Sequence, residues 1–280
     1  MTPRVHRFLS LGAGIQSSTL YLMAVRRELE RPDAAIFADT QWEPAAVYAW
    51  LDVLERIGGH LIPIRRVSAG NIREAALTRV EPKGGKPYRR VSLPVFVENA
   101  PRPYISERGR LKRQCTRQFK IRPIQAEVRR LLSVARGGRV PRAMLAEQWI
   151  GISVDEASRM KDSGLPWLRN RWPLIERRMT RQDCVQWLER NGFSVPPKSA
   201  CIGCPYTDRD RWRDRRARQP TEWADAVAFD EAIRHGLVGV THEAYLHPSL
   251  RPLRELDFST LEEHGQVNLF ENECEGMCGV

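Results

Sequence analysis

The sequence opens with an alternation of strand-like and helix-like segments, and this pattern restricts the fold more than any other feature. Short apolar runs at 5–11, 34–39 and 60–66 predict buried strands. Residues 16–27 and 44–57, which lie between these runs, predict helices. This order predicts an α/β fold with a parallel sheet and flanking helices. In such sheets, ligands bind beyond the carboxyl ends of the strands.

The composition is typical of a globular protein. Of the 280 residues, 42% are hydrophobic, 28% are charged and 8% are aromatic, which excludes an intrinsically disordered chain. No uncharged apolar stretch approaches the roughly 20 residues that a bilayer crossing needs, so no membrane partner is expected. The apolar run near the N-terminus is too short for a secretory signal, and we expect a cytoplasmic protein.

The chain divides into a predicted α/β domain over residues 1–192 and a cysteine-containing C-terminal region with an acidic tail over 193–280. Within the first domain, about 79–110 are rich in proline and glycine. This composition predicts an insertion or a long loop, which we expect over the active-site face.

Three further elements are predicted after the insertion. Residues 116–132 are patterned as an amphipathic helix, and 147–153 as another strand. Residues 181–190 predict a helix, because Thr180 can cap it and Asp183 stands at the capping-box position.

The positive charge is uneven. The chain carries a net charge of +11, and residues 101–142 hold 13 Lys and Arg against 2 Asp and Glu. Residues 221–280 hold 3 Lys and Arg against 12 Asp and Glu. These segments are consistent with solvated faces, with mutual pairing, or with a polyanion bound by the basic segment.

A glycine-containing loop, SLGAGIQSS, separates the first predicted strand from the first helix. Its small residues let backbone amides approach an anion, and the helix N-terminus favours negative charge. It matches neither the Walker pattern nor the dinucleotide GxGxxG pattern. The alternative is a tight strand-to-helix connection without a ligand. The residues concerned are Ser10, Gly12, Ala13, Gly14, Gln16, Ser17 and Ser18.

A second motif, ADTQWEP, ends the second predicted strand. Asp39 and Thr40 are therefore expected beside the glycine-containing loop, where an acidic residue suits a ribose or a magnesium–phosphate contact. The alternative is that either residue caps the following helix.

Six cysteines point to metal or redox chemistry, because a disulfide framework is not expected in a cytoplasmic chain. Cys201 and Cys204 stand three residues apart, a spacing that lets two thiolates face one metal centre. Cys184 falls inside a predicted helix, and we expect it to be a packed core residue.

Together, the loop and the Asp-Thr strand end resemble the PP-loop superfamily of adenine nucleotide alpha hydrolase-like proteins, which have a Rossmann-like sheet. Within that superfamily, three further stretches are similar to the phosphoadenosine phosphosulfate (PAPS) reductase branch. They are GISVDEASRM, WPLIERRMTRQDCVQWL and RQCTRQFKIRPI, and they occur in the order that the family has. The resemblance spans residue 8 to about residue 205.

The resemblance implies an enzyme that binds ATP or PAPS, with magnesium as a candidate ion. Nucleotide contacts are expected from the glycine-containing loop, from Asp39 and Thr40, and from Gly151 and Arg159 of GISVDEASRM. Asp39 is also a catalytic candidate. The chain departs from the family at Gly12, Gln16 and Ser153, but a cradle of backbone amides tolerates such changes.

The resemblance also implies a [4Fe–4S] cluster, with zinc as the alternative. Its expected ligands are Cys115, Cys201, Cys204 and Cys274, although Thr116 replaces the second of two adjacent cysteines that reductases usually have. The tail cysteines Cys274 and Cys278 also resemble a C-terminal reactive cysteine, so whichever of them is not a ligand is the catalytic candidate. A redox dithiol and inert thiols stay open.

Two enzymatic functions follow from the resemblance. In the first, favoured one, a PP-loop sulfurtransferase adenylates an acceptor with ATP, and sulfur then displaces AMP. A nucleic acid and a sulfur-donor protein are candidate partners. In the second, a sulfonucleotide reductase releases sulfite from PAPS or adenylyl sulfate. A third alternative is a non-catalytic accessory that binds a nucleotide or a nucleic acid.

Overall fold

The structure is a computed structural model, and it describes residues 5–98, 105–106, 109–135, 137–141, 144–235, 237–240 and 242–259. The predicted tail cysteines, Cys274 and Cys278, lie outside the described residues. Among the described helices, none combines the length and the apolar character that a bilayer crossing needs.

Strands and helices alternate from the start of the chain. They are β1 (His6–Ser10), α1 (Ile15–Val25), β2 (Ala34–Asp39), α2 (Ala45–Gly58), β3 (Ile64–Ser68) and α3 (Ile72–Leu77). The predicted alternation is confirmed, but the third strand begins later than residue 60. Pro63 has no N–H to give to a sheet, so regular pairing starts after it.

The proline- and glycine-rich segment contains short strands. They are β4 (Arg79–Val80), β5 (Tyr88–Arg89), β6 (Phe96–Val97), β7 (Ile105–Ser106) and β8 (Arg110–Leu111). Strands β4 and β5 pair with each other as an antiparallel hairpin. Pro82, Gly84, Gly85 and Pro87 therefore lie between two paired strands rather than in one long loop.

A π-helix and the second half of the α/β unit follow. The elements are the π-helix (Thr116–Ile121), α4 (Arg122–Leu131), β9 (Ala146–Ile150), a 3-10 helix (Val154–Arg159), β10 (Leu168–Arg171), α5 (Pro173–Glu176) and α6 (Arg181–Arg190). The single helix predicted over 116–132 is thus a π-helix joined to an α-helix. Pro123 has no N–H to donate to Phe119, so a continuous α-helix is interrupted there.

The C-terminal region contributes α7 (Arg209–Arg218), α8 (Pro220–Arg234), β11 (Ala244–Tyr245) and a 3-10 helix (Leu253–Glu255). The charged run 208–218 is expected from its sequence to be a solvated helical face. The helix forms, but Trp212 is fully buried and the Arg215 side chain is buried beside it.

The central sheet is Rossmann-like. Its order is β10-β9-β1-β2-β3, and every pairing is parallel. The chain proceeds from β1 outward to β2 and β3, and later returns to place β9 on the other side of β1. The carboxyl ends of β1 and β9 therefore form a switch point, where ligands bind in sheets of this kind.

Helices cover both faces of the sheet. On one face, α1, α2 and α6 bury residues such as Leu20, Leu51 and Leu188 against the sheet, and Cys184 lies in this core as predicted. On the other face, α4 buries Ile124 among others. Removal of these apolar side chains from water is the main term that holds the layers together.

A second core joins the insertion to the C-terminal region. Strand β6 pairs with β11 through Phe96 and Tyr245 and through Val97 and Ala244. Trp42, which follows β2, packs in the same cluster. Segment 79–110, which was predicted as part of the first domain, therefore shares its core with residues after 192.

The predicted capping box of α6 is present. The Asp183 backbone N–H donates to Thr180 Oγ1 over 3.1 Å, and the Thr180 N–H donates to Asp183 Oδ2 over 2.8 Å. The Thr180 hydroxyl also donates to Asp183 Oδ2 over 2.7 Å, and this bond, together with the one from the Thr180 N–H, holds the pKa of Asp183 below its usual value.

Thr180→Ala should lower the free energy of unfolding by about 1 kcal/mol, because it removes the acceptor for the Asp183 N–H. Thr180→Ser keeps the hydroxyl and should stay close to the parent protein. Urea unfolding followed by circular dichroism measures both variants. Equal stability of Thr180→Ala and the parent would show that the cap contributes nothing.

Candidate functional site

A cavity of about 750 Å³ opens at the carboxyl ends of β1 and β9. Of the predicted nucleotide-binding residues, seven line it: Ser10, Gly12, Gly14, Gln16, Ser17, Gly151 and Arg159. Its position is the switch point of the sheet. We call it the phosphate cavity below, because of the helix end that faces it.

The N-terminus of α1 is free of acidic groups. Gly14 is its N-cap and provides no side-chain acceptor, and the first turn contains no acidic residue. Ser17 Oγ instead accepts from the Gly12 N–H over 3.1 Å, which folds the loop back on itself. Ala13 adopts a positive φ of 58°. Uncapped helical N–H groups beside a left-handed residue form a concave anion site.

Gly151 fixes the loop after β9 against the loop after β1. A β-carbon at this position would lie 2.8 Å from the Ser17 backbone nitrogen and 3.0 Å from its α-carbon. Because both atoms belong to the backbone, neither has room to move aside. Only glycine allows this approach, so Gly151 closes one wall of the phosphate cavity.

Positive charge predominates in the walls of the phosphate cavity. Six cations line it, namely Arg117, Lys120, Arg159, Lys161, Arg181 and Lys198, against two carboxylates, Glu156 and Asp162. Glu156 accepts from Gln16 Nε2 over 3.0 Å and pairs with Arg159. Burial raises the pKa of Glu156, while Arg159 opposes that shift. The cavity therefore attracts an anion.

The other four predicted nucleotide-binding residues do not line the phosphate cavity. Ala13 is buried, and Ser18 Oγ accepts from Trp50 Nε1 over 2.9 Å in the core. Asp39 Oδ1 accepts from the Gln41 N–H over 2.7 Å and from Tyr48 Oη over 2.8 Å, so it holds the turn after β2. Burial raises the pKa of Tyr48, and the bond to Asp39 adds to the shift.

Thr40, the fourth, contacts a cysteine that lines a second, smaller cavity. Its hydroxyl lies 3.4 Å from Cys201 Sγ. Cys115, Cys201 and Cys204 all line this cavity of about 40 Å³, which we call the cysteine pocket. Thr116 and Lys120 of the π-helix line both cavities. The two cavities are therefore neighbours that share one wall.

The loop that carries Cys201 and Cys204 is clamped from two sides. The Ile202 N–H donates to the Trp42 carbonyl over 2.9 Å, and Arg215 Nη1 donates to the Ile202 carbonyl over 2.6 Å. A β-carbon at Gly203 would lie 2.2 Å from the Trp42 ring. Trp42 is itself held, because its ring packs edge-on against Phe229.

Glu43 is the buried residue at the centre of this region, and the sequence analysis missed it. Its Oε1 accepts from the Thr40 hydroxyl over 3.1 Å, lies 3.7 Å from Cys201 Sγ and pairs with Lys120 Nζ at 3.4 Å. Its Oε2 is buried and has no hydrogen-bond partner among the described residues. The sequence did contain one indication that Glu43 lies near a site. It stands between the end of a predicted strand and Pro44, at which a helix begins.

Burial also raises the pKa of the Cys201 thiol, and the Glu43 carboxylate adds to the shift. Cys184, in contrast, lies in the sheet core, where burial raises its pKa to about 12. Lys198 and Ser199, which line the phosphate cavity from the C-terminal side, were also missed. They lie in an irregular stretch without a pattern.

The cysteine pocket suits a soft metal centre in its donor chemistry. Three thiols line it, and the cations Arg113 and Lys120 line it too and would offset anionic charge. Within the described residues, no group of three or more His, Cys, Asp or Glu side chains is arranged as a metal site. The predicted fourth ligand, Cys274, lies outside them, so the four-cysteine set stays a prediction.

Comparisons with known proteins give only weak likenesses. No family model matches the chain, and no curated protein does. A solved structure that is similar is phosphoadenylyl-sulfate (PAPS) reductase from Candida auris in its phosphate complex. It is 10% identical, with 69% of this chain and 75% of that chain covered and a TM-score of 0.41. A score this low does not establish a shared activity.

Gly151→Ala should lose about 1–3 kcal/mol of stability and also lose ATP binding, because the new methyl group meets the Ser17 backbone. Gly12→Ala is the matched control within the same wall. Its β-carbon would meet only Ser17 Oγ at 3.7 Å, so stability should stay within about 0.5 kcal/mol. Urea unfolding and calorimetric titration with ATP measure the two effects. A Gly151→Ala protein as stable as the control would refute the close approach.

Proposed function

We propose that this protein is an enzyme of the PAPS reductase branch of the PP-loop superfamily. In this proposal it binds ATP in the phosphate cavity, activates an acceptor as its adenylate and transfers sulfur to it. The observation that carries the proposal is the shared wall of the two cavities, in which Thr116 and Lys120 separate an anion site from three thiols. A nucleotide bound in the phosphate cavity would therefore lie next to the three thiols of the cysteine pocket.

The chain's own residues supply the binding of the phosphates. The N–H groups at the start of α1 face the cavity without a capping side chain. Lys120, Arg159 and Lys198 add positive charge from three different elements of the wall. These groups orient the triphosphate and stabilise the charge that develops on pyrophosphate as it leaves. Magnesium is the candidate ion on the phosphates.

The proposed reaction consists of adenylation of the acceptor, transfer of sulfur to it and reduction of the resulting disulfide. An acceptor oxygen attacks the α-phosphorus of ATP, and pyrophosphate leaves with the electrons of the broken P–O bond. The acceptor then carries AMP on that oxygen. A persulfide sulfur attacks the acceptor carbon, and AMP leaves with the oxygen. A thiol then reduces the remaining S–S bond, so the sulfur stays on the acceptor. A persulfide supplies the sulfur, and the thiol supplies two electrons.

Cysteine side chains supply the sulfur chemistry in this proposal. Cys115, Cys201 and Cys204, together with Cys274, would hold a [4Fe–4S] cluster, or zinc in its place. A bound cluster supplies redox-active iron and sulfide next to the nucleotide. Cys278 is then the candidate persulfide carrier. Glu43 and Lys120 keep opposite charges paired beside Cys201, which avoids an uncompensated buried carboxylate.

The deciding experiment offers the purified protein ATP, PAPS and adenylyl sulfate in parallel, each with a thiol reductant. ATP conversion to AMP and pyrophosphate, stimulated by a persulfide donor and an acceptor, is the expected result. Sulfite release from PAPS or adenylyl sulfate would instead identify a sulfonucleotide reductase. Nucleotide binding without turnover in every arm would identify a non-catalytic accessory.

The metal content of the cysteine pocket is tested separately. Anaerobically purified protein should be brown, should contain iron and acid-labile sulfide, and should absorb broadly near the boundary between visible and ultraviolet light. Cys201→Ala and Cys204→Ala should each lose the iron. Cys184→Ala, which removes a core thiol, is the matched control and should retain it. Stoichiometric zinc in colourless protein would exclude the cluster.

A further inference from the structure

The β4–β5 hairpin is a basic projection that the proposed function does not use. Over residues 79–90 it carries five Lys and Arg and one Glu. Its turn includes Gly84, which has a positive φ of 75° and open space around it. Tyr88, in β5, exposes 52% of its surface, more than the other large apolar side chains among the described residues.

The two faces of the hairpin differ. Successive residues of a strand point to opposite faces. Arg89 is half-buried, and burial lowers its pKa, so its face is turned toward the body of the protein. Tyr88 is paired in register with Val80 and faces outward. The pairing of the two strands therefore holds the Tyr88 ring on the outer face of the hairpin.

The charge of the hairpin is not neutralised. Lys83, Lys86 and Arg90 are exposed and form no ion pair with any described residue, and the one acidic residue, Glu81, pairs with Arg79. Helix α7 is also rich in arginine, but three of its arginines pair with aspartates on the same helix or at its cap. Its Arg211, Arg213 and Arg218 pair with Asp208, Asp210 and Asp214 in turn. The hairpin therefore presents three exposed cations that have no acidic partner among the described residues.

The chain segments before and after the hairpin each contribute a residue to the lining of the cysteine pocket. Ile72, at the start of α3, lines the pocket, and α3 leads directly into β4. Leu93 lines it as well, four residues after β5 ends. A helix as short as α3 spans about 9 Å. The chain segments on both sides of the hairpin therefore contribute to the lining of the pocket.

The lining of the cysteine pocket also combines an aromatic ring with cations. Tyr206 lines the pocket, and the guanidinium of Arg110 lies 4.8 Å from the centre of its ring. Arg113, which also lines the pocket, lies 5.2 Å from the same ring. Two guanidinium groups therefore lie against one aromatic ring at the pocket. Single-stranded nucleic acids are held by this combination, in which cations contact phosphates and rings stack on bases.

We propose that the β4–β5 hairpin binds single-stranded nucleic acid and presents it to the cysteine pocket as the acceptor of sulfur. The binding site stands on the hairpin alone, whereas the acceptor role rests on the proposed function. Lys83, Lys86 and Arg90 contact phosphates, and Tyr88 stacks on a base. A duplex keeps its bases stacked inside and leaves Tyr88 without a partner, so the single strand is preferred.

Fluorescence anisotropy with labelled 20-nucleotide strands tests the binding. The double variant Lys83→Gln/Lys86→Gln should bind more weakly and reduce the slope of log affinity against log salt by about 1.4, since each phosphate contact on a single strand contributes about 0.7. Tyr88→Leu should weaken binding roughly 10-fold, while Tyr88→Phe keeps the stacking ring. These positions are exposed, so folding is preserved.

Matched controls separate this site from general charge. Arg56→Gln/Arg190→Gln removes two exposed cations from α2 and α6 and should leave affinity and salt slope unchanged. Polyphosphate carries charge without bases, so its binding should respond to the lysine variants and not to Tyr88→Leu. Equal effects of the control pair and the lysine pair would overturn the proposal, as would an unchanged affinity of Tyr88→Leu for the strands.

The same samples distinguish the two proposals. The affinity for ATP is measured on the same samples, and the hairpin variants should bind ATP as tightly as the parent protein does. Binding of ATP with no binding of DNA or RNA strands would refute the hairpin site and leave the nucleotide function standing. Binding of strands without ATP would refute the nucleotide function alone. Parallel DNA and RNA arms identify the acceptor, because the tighter partner should also stimulate AMP release.

Discussion

The close approach of Gly151 to the Ser17 backbone is the constraint on which the phosphate cavity depends. It brings the end of β9 against the loop after β1, with no space left for a side chain. The start of α1 is thereby fixed at the switch point of the sheet, where its N–H groups have no capping side chain. An anion site therefore results from backbone geometry and sheet order, and it depends little on the side chains of the loop.

The cysteine pocket depends on a different kind of contact. Its loop is placed by packing, because Gly203 lies against the Trp42 ring and Arg215 holds the Ile202 carbonyl. Trp42 follows β2, whereas the cysteines belong to the π-helix boundary and to the C-terminal region. The sheet thus fixes the phosphate cavity, and a separate core brings the pocket to its side. The wall between them is one short π-helix, a geometry that often marks functional sites.

The sequence predicted what depends on local pattern. The strands β1 and β2, the glycine-containing loop and the capping box at Thr180 all follow from neighbouring residues, and the structure contains them. Pairing of β6 with β11 was missed because strands of two residues carry no period, and they lie far apart in the chain. Glu43 was missed for a related reason. Its burial among Thr40, Cys201 and Lys120 arises only when distant segments meet.

The excess of positive charge has two separate uses in this fold. Lys120 and Arg113 lie in the walls of the cavities, where their charge acts on a bound anion or thiolate. Lys83 and Lys86 stand on an exposed hairpin without acidic neighbours in contact. Water and salt screen exposed charges strongly and enclosed ones weakly. In the proposed function, the walls therefore set how a small ligand is held, and the hairpin would act on a polymer that reaches it from solution.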